Sequence, residues 1–232
     1  MLTSGTNLFL PDIADVIEEA YERCGIESRT GYDVRTARRS LDIMALEWAN
    51  RGVNLWAVDS ATIPLVAGTA MYSLPADTVD LLDVVIRTGV GTAQTDIAVQ
   101  RLSLGDYSSI PAKNVTGRPV NYYVDRGAKV GGVVTAAVVP TVTVWPVPDV
   151  GTYSLTYWRM RRIQDSGTSG ALTMDTPARF VPSLIAGLAY YLAMKKSPER
   201  MGVLKAIYDE QFQMASEEDR ERTSFYCTPR GR

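Results

Sequence analysis

The hydrophobic period of this chain changes twice along its length, and that constrains the fold more than any single motif does. Over residues 11–51 apolar side chains recur at every third or fourth position, the spacing that keeps them on one face of a helix. Over residues 53–165 β-branched and aromatic runs alternate with Gly, Pro, Asn and Asp, the signature of short strands and turns. Over residues 177–221 the helical period returns. A helix-period segment does not persist as a strand. The pattern therefore predicts an α+β fold: a helical bundle formed by N- and C-terminal helices, with a β-rich insertion and an extended C-terminal tail. The boundaries expected are 1–52 for an N-terminal helical hairpin, 53–170 for the insertion, 171–221 for the C-terminal helices that complete the bundle, and 222–232 for the tail.

Within the first region, Ile13, Val16, Ile17, Ala20, Tyr21 and Cys24 make one stripe. Pro11 suits a first helical turn, where its missing N–H costs nothing, and Gly25 is a stop signal. After the Thr30-Gly31 break a second stripe runs through Val34, Ala37, Leu41, Met44, Ala45 and Trp48. Arg35, Arg38, Arg39, Asp42 and Glu47 fall outside it, and Arg51-Gly52 ends it. The short connection predicts antiparallel packing of the two helices. In the last region Phe180, Leu184, Ile185, Leu188, Tyr191 and Leu192 fit one buried helix, and its Ala186, Gly187, Ala189 and Ala193 permit close helix approach. Lys195 to Pro198 mark a turn, and Met201, Leu204, Tyr208, Gln211, Phe212 and Ala215 give the stripe of a final helix.

The middle region predicts strands near 55–63, 70–74, 81–87, 96–100, 120–125, 132–138, 141–145 and 152–160, with a short helix over Ser103–Ser109. Pro64, Pro140, Pro146 and Pro148 limit strands or place them at edges. Gly89-Val90-Gly91 resembles the start of a dinucleotide fingerprint, but the third glycine is missing and no apolar helix follows. A hairpin turn is the reading adopted. Gln164–Gly170 is a polar, Gly/Ser/Thr-rich loop.

The same residues narrow the chemistry. At about 150 residues per domain, 232 residues correspond to one compact unit carrying an elaboration. Apolar residues make up 46% and charged residues 22%, which excludes a wholly disordered or collagen-like chain. Lys and Arg number 24 against 26 Asp and Glu, a formal charge of −2, whereas a dedicated nucleic-acid binder carries a basic excess. There is no His, so a Ser-His-Asp or Cys-His nucleophile in its usual form has no base. Cys24 and Cys227 form no CxxC pair, and a zinc cluster needs about four ligands. No metal and no cofactor is expected, and no catalytic residue is assigned. Glu18, Glu19 and Glu22, and Glu217, Glu218 and Asp219, are adjacent acids on polar helix faces. They lack the separation across a cleft that a glycosidase needs. Met1 to Leu8 has no basic segment before an apolar run, so no secretory signal is expected. The longest apolar stretch, Val181 to Met194, is too short to span a membrane and contains Pro182 and Ser183.

The segment Arg220–Arg232 loses the helical period. It carries four arginines against one glutamate, and Phe225 and Tyr226 are adjacent. Two readings stand: a solvated tail, or a segment that orders on a partner, burying Phe225 and Tyr226 and pairing its arginines with carboxylates.

Several motifs then recur in an order and spacing that resemble the head-to-tail adaptor proteins of short-tailed bacteriophages. They are Trp48, Arg51-Gly52, Asn54-Leu55-Trp56, Gly68, Tyr72, Leu74-Pro75, Asp77, Leu81-Leu82-Asp83 and Arg87. Further on come Gly117-Arg118-Pro119, Tyr122, Trp145-Pro146-Val147-Pro148-Asp149, Tyr153, Leu155 and Tyr157. The resemblance covers residues 11 to 215. It implies a structural virion protein, assembled in the host cytoplasm, that sits as a homo-oligomeric ring, commonly of twelve copies, below the portal. Such a ring extends the DNA channel without binding DNA specifically, and presents a platform for the tail nozzle or tail fibres. In this family a C-terminal extension often reaches the portal, so Arg222, Phe225, Tyr226, Arg230 and Arg232 are the expected portal-binding residues. Two alternatives remain: a virion-associated cell-wall hydrolase built on the acidic clusters, and another tail connector or nozzle component.

Overall fold

The computed structural model describes residues 9–27, 30–52, 55–127 and 139–219. Two helices come first, α1 (Ile13–Cys24) and α2 (Gly31–Asn50). Strands β1 (Val58–Pro64), β2 (Met71–Ser73), β3 (Thr78–Thr88), β4 (Thr95–Ala98) and β5 (Gln100–Arg101) follow. Then come a short helix α3 (Leu104–Ser109) and strands β6 (Asn121–Asp125), β7 (Thr141–Trp145) and β8 (Ser154–Arg161). Helices α4 (Val181–Lys196) and α5 (Met201–Glu218) close the described chain. The expected strand over 132–138 lies outside the described residues, as do Met1–Leu8, Asn54 and the tail. The chain divides into a helical unit, through Trp56 and from Ile163 onward, and a β unit, Ala57–Arg162.

In the helical unit the helix ends follow from local chemistry. The Asp12 carboxylate accepts from the Asp15 amide at 2.9 Å, an N-cap that satisfies one otherwise orphaned N–H. The helix thus starts at Ile13, and Pro11 stands just outside its first turn. Gly25 ends α1 with φ 71°, and its N–H donates to Glu22 O at 2.8 Å. A side chain there would collide with the Arg200 guanidinium, 2.7 Å from the position of a Cβ. Thr30 and Asp33 form a reciprocal capping box at the start of α2.

The stripes expected from sequence are buried. Ile13, Val16, Ile17, Ala20, Tyr21 and Cys24 join Ala37, Leu41, Met44, Ala45 and Trp48 in one core with Phe180, Leu184, Leu188, Leu192, Leu204, Tyr208 and Phe212. Val34, Tyr191 and Gln211 are half-buried, and Met201 is exposed at 40%. The organiser is α4, apolar nearly all round, against which α1, α2 and α5 each pack. The antiparallel α1–α2 pair expected from the short connection is only weakly formed, because each helix turns its stripe to α4 instead. Gly187 allows the closest approach: a Cβ there would lie 2.4 Å from Met44 Sδ and 2.7 Å from Tyr208 Cε2. The Trp48 indole donates to Tyr208 Oη at 2.8 Å, and its ring packs at 5.5 Å on Phe180 and 5.8 Å on Phe212.

The polar loop read over Gln164–Gly170 is strapped to the helices. The Ser166 amide donates to Asp42 at 2.8 Å, Arg38 donates to Thr168 O, and the Ala14 amide donates to Gly170 O at 3.1 Å. These bonds use two of the free N–H groups at the start of α1, since the Ile13 amide likewise reaches Leu172 O at 2.8 Å.

Among the described residues the β unit holds two four-stranded sheets, ordered β1-β8-β3-β4 and β2-β7-β6-β5. All pairings are antiparallel except β5 with β6. Residues alternate inward along β6 and β7, so Tyr122, Val124, Val142 and Val144 share a core with Leu81, Val84, Ile86, Leu155 and Tyr157 of the other sheet. The Gly89-Val90-Gly91 segment is the β3–β4 turn. Gly89 is required there: at φ 75°, a Cβ would lie 2.3 Å from Ala93 O.

Candidate interaction surfaces

Several ionisable groups of the β unit are engaged in structure. Arg159, 8% exposed on β8, donates to Asp59 on β1 at 2.7 Å, to Asp77 at 2.5 Å and to Thr78 Oγ1 at 2.9 Å. These hydrogen bonds hold the Asp77 carboxyl below its ordinary range. Burial alone would raise Asp80, but Arg101 at 2.8 Å, the Leu81 amide and Arg126 outweigh it and hold it low. The Arg101–Asp80 bond ties β5 to β3 and so one sheet to the other. Asp59 and Asp77 serve as clamps on one arginine, a use that stabilises a fold without supplying a free acid–base pair.

In the helical unit Cys24 is buried, and its thiol donates to Ala189 O at 3.1 Å. Burial pushes that thiol above its ordinary value and away from the reactive thiolate. Burial also pushes Tyr208 up to about 12. The two acidic clusters part company. Glu18 and Glu22 are exposed on α1, beside a groove of about 540 Å³ that also meets Ile17, Tyr21, Val34 and Arg38. Glu217 and Glu218 are exposed at the end of α5, whereas Asp219 is buried and paired with Arg179. The expected solvated acidic face therefore loses Asp219, because the 3-10 turn before α4 brings a guanidinium to it. Among the described residues no group of three or more Cys, Asp or Glu side chains is placed to hold a metal ion.

In the helical unit, exposed apolar residues recur along two helices. On α2, opposite the buried stripe, Tyr32, Arg35, Arg39, Ile43 and Leu46 are all exposed and step by three or four residues. On α5 the exposed positions Val203, Ile207, Glu210, Met214 and Glu217 do the same. Val203 is 67% and Leu46 62% exposed. Val203 and Ile207 also line an apolar groove of about 500 Å³ with Ala186, Arg23 and Arg200. Contiguous exposed apolar surface marks interaction sites. In the β unit Leu82 and Trp158 are exposed. The five tail residues singled out by composition, Arg222, Phe225, Tyr226, Arg230 and Arg232, lie outside the described residues.

A family model described as SU10 adaptor protein matches residues 6–230. The chain belongs to the SU10 adaptor protein family, a family of phage head-to-tail adaptors. No curated protein matches it. Membership implies a structural head-tail role, contacts with other virion proteins and a place in the virion. Among the described residues of this adaptor chain no helix is long and apolar enough to cross a membrane. Sequence reading placed the buried stripes but passed over the outward ones. The signal was present: Ile43 and Leu46 are apolar at positions that the α2 core stripe leaves outside, and Val203 and Ile207 likewise on α5.

Proposed function

We propose that this chain is a non-enzymatic connector that closes into a ring of about twelve copies beneath the phage portal, extends the DNA channel and carries the tail nozzle or tail fibres. The observation that carries the reading is the adaptor-family match across residues 6–230. Physical arguments support it. A ring joins copies through a heterologous interface, so each subunit needs two different contact faces. Exposed apolar stripes on α2 and α5 offer two. A conduit must let DNA slide, and a net charge of −2 avoids the counterion release that drives tight phosphate binding.

The C-terminal segment is the portal contact in this reading. Arg222, Arg230 and Arg232 pair with carboxylates of the portal, and Phe225 and Tyr226 bury against it. Docking that orders a segment only on contact makes assembly sequential, portal first and ring second. Many copies then reinforce weak single contacts through effective concentration. The test is to mix the purified full chain with the portal protein of the same phage and follow light scattering and negative-stain images. The full chain is expected to add a ring to the portal. A variant lacking 222–232 is expected to keep its circular dichroism melt and fail to dock. Absence of any complex with the full chain refutes the connector reading, and full rings from the truncated chain refute the role of the tail.

A further inference from the structure

We infer that the ring interface is made by the outer face of α2 in one copy packed antiparallel on the outer face of α5 in the next, an assignment that rests on the ring reading above. The argument begins with spacing. Read from its C-terminal end, the α2 stripe is Leu46, Ile43, Arg39, Arg35 and Tyr32; read forward, the α5 stripe is Val203, Ile207, Glu210, Met214 and Glu217. Both advance in steps of three and four. Laid side by side in opposite directions, they therefore stay in register for their whole length. At about 1.5 Å per residue, the midpoint of Ile43 and Leu46 lies about 11 Å from that of Arg35 and Arg39. On α5 the midpoint of Val203 and Ile207 lies about 13 Å from that of Glu210 and Glu217.

Chemistry matches along that register. Leu46 and Ile43 meet Val203 and Ile207. Arg39 meets Glu210, Arg35 falls between Glu210 and Glu217 beside Met214, and the Tyr32 hydroxyl reaches Glu217. Parallel packing keeps Arg39 at Glu210, the central pair, but sets Arg35 on Ile207 and Glu217 on Leu46, so the flanking positions select the antiparallel arrangement. The charges are also unspent within the monomer. Arg35, Arg39 and Glu210 have no ion-pair partner among the described residues, and Glu217 accepts only from the neutral Gln213, at 3.1 Å. Arg39 stands near another cation: Lys195 is held below its ordinary value by burial and by the Arg39 charge. A carboxylate arriving from outside relieves that repulsion. Because the two faces differ, the contact is heterologous and generates a ring when the rotation closes.

Two experiments on the full chain with portal test this. Arg35→Glu with Arg39→Glu, and separately Glu210→Arg with Glu217→Arg, are expected to cut ring yield at least about tenfold, since like charges face each other across the contact. The four-fold variant carrying both sets is expected to recover rings. The altered side chains are exposed, so an unchanged thermal melt certifies the fold of each variant. In a Cys227→Ser background, a mixture of Leu46→Cys chains with Val203→Cys chains is expected to form disulfide-linked dimers on oxidation, and neither variant alone. The doubly substituted chain is expected to give a ladder of linked multimers. Dimers from Leu46→Cys alone mean a face-to-face contact and overturn the assignment. Wild-type rings with neither charge rescue nor cross-linking overturn it while leaving the ring reading in place. A wild-type chain that forms no ring overturns both.

Discussion

Substituting Gly187 by alanine isolates the packing of α4 against its neighbours. Two effects oppose each other. Inside a helix, Gly→Ala gains about 1 kcal/mol of propensity. Against that, the new methyl would sit 2.4 Å from Met44 Sδ and 2.7 and 3.0 Å from two carbons of the Tyr208 ring. The Met44 thioether is flexible and can swing away. Tyr208 cannot: its hydroxyl accepts the Trp48 indole at 2.8 Å, its ring packs on Phe212 and Tyr190, and it is 1% exposed. Overpacking a close-fitted core costs about 1–3 kcal/mol, so Gly187→Ala is expected to lose about 0–2 kcal/mol net after the propensity gain of about 1 kcal/mol. Urea denaturation followed by tryptophan fluorescence measures it, with the slope unchanged and the midpoint lowered. Pairing Gly187→Ala with Met44→Ala separates the two contacts. If Met44 is the obstacle the double variant recovers part of the cost; if Tyr208 is, the losses add. A Gly187→Ala chain more stable than wild type refutes the close approach of α4 to α2 and α5.

Other outcomes follow from the same contacts. Tyr208→Phe leaves the buried Trp48 N–H without its acceptor and is expected to cost about 1–3 kcal/mol; an unchanged urea midpoint would show that the bond is not formed. The pH dependence has a definite sign. Asp77 and Asp80 sit below their ordinary value of 3.8 in the folded chain. Their contribution is complete above that unfolded value and is lost as pH falls through the lower folded one. Stability is therefore expected to be level from pH 7 to about 5 and to drop below about 4. Asp77→Asn is expected to flatten that drop, and an unaltered acid slope in the variant contradicts the Arg159 clamp. The tail truncation and the charge swap between α2 and α5 complete the set, read by portal docking and by ring yield.

How much of this was legible beforehand differs by element. The outward stripes of α2 and α5 were visible in principle, because Ile43, Leu46, Val203 and Ile207 are apolar where the core period has no use for them. They become meaningful only once the opposite faces are known to be buried. The tail residues stood out by composition alone, and composition names charge and aromatic content without naming the surface they meet.

What the sequence determined by itself was periodicity and punctuation. Side-chain spacing of 3.6 or 2 is imposed by backbone geometry, so the helices over 13–24, 31–50, 181–196 and 201–218 and most of the described strands were readable to within a few residues. Gly25 and the Thr30 cap act within a turn or two and are local in the same sense. Tertiary structure alone decided which segments met. β1 pairs with β8, nearly a hundred residues later, and Asp219 finds Arg179 rather than its neighbours in sequence. A stripe states that a face is buried and leaves open what buries it. That is why α1 and α2 were expected to pack on each other, whereas both pack mainly on α4, the most apolar of the four long helices described.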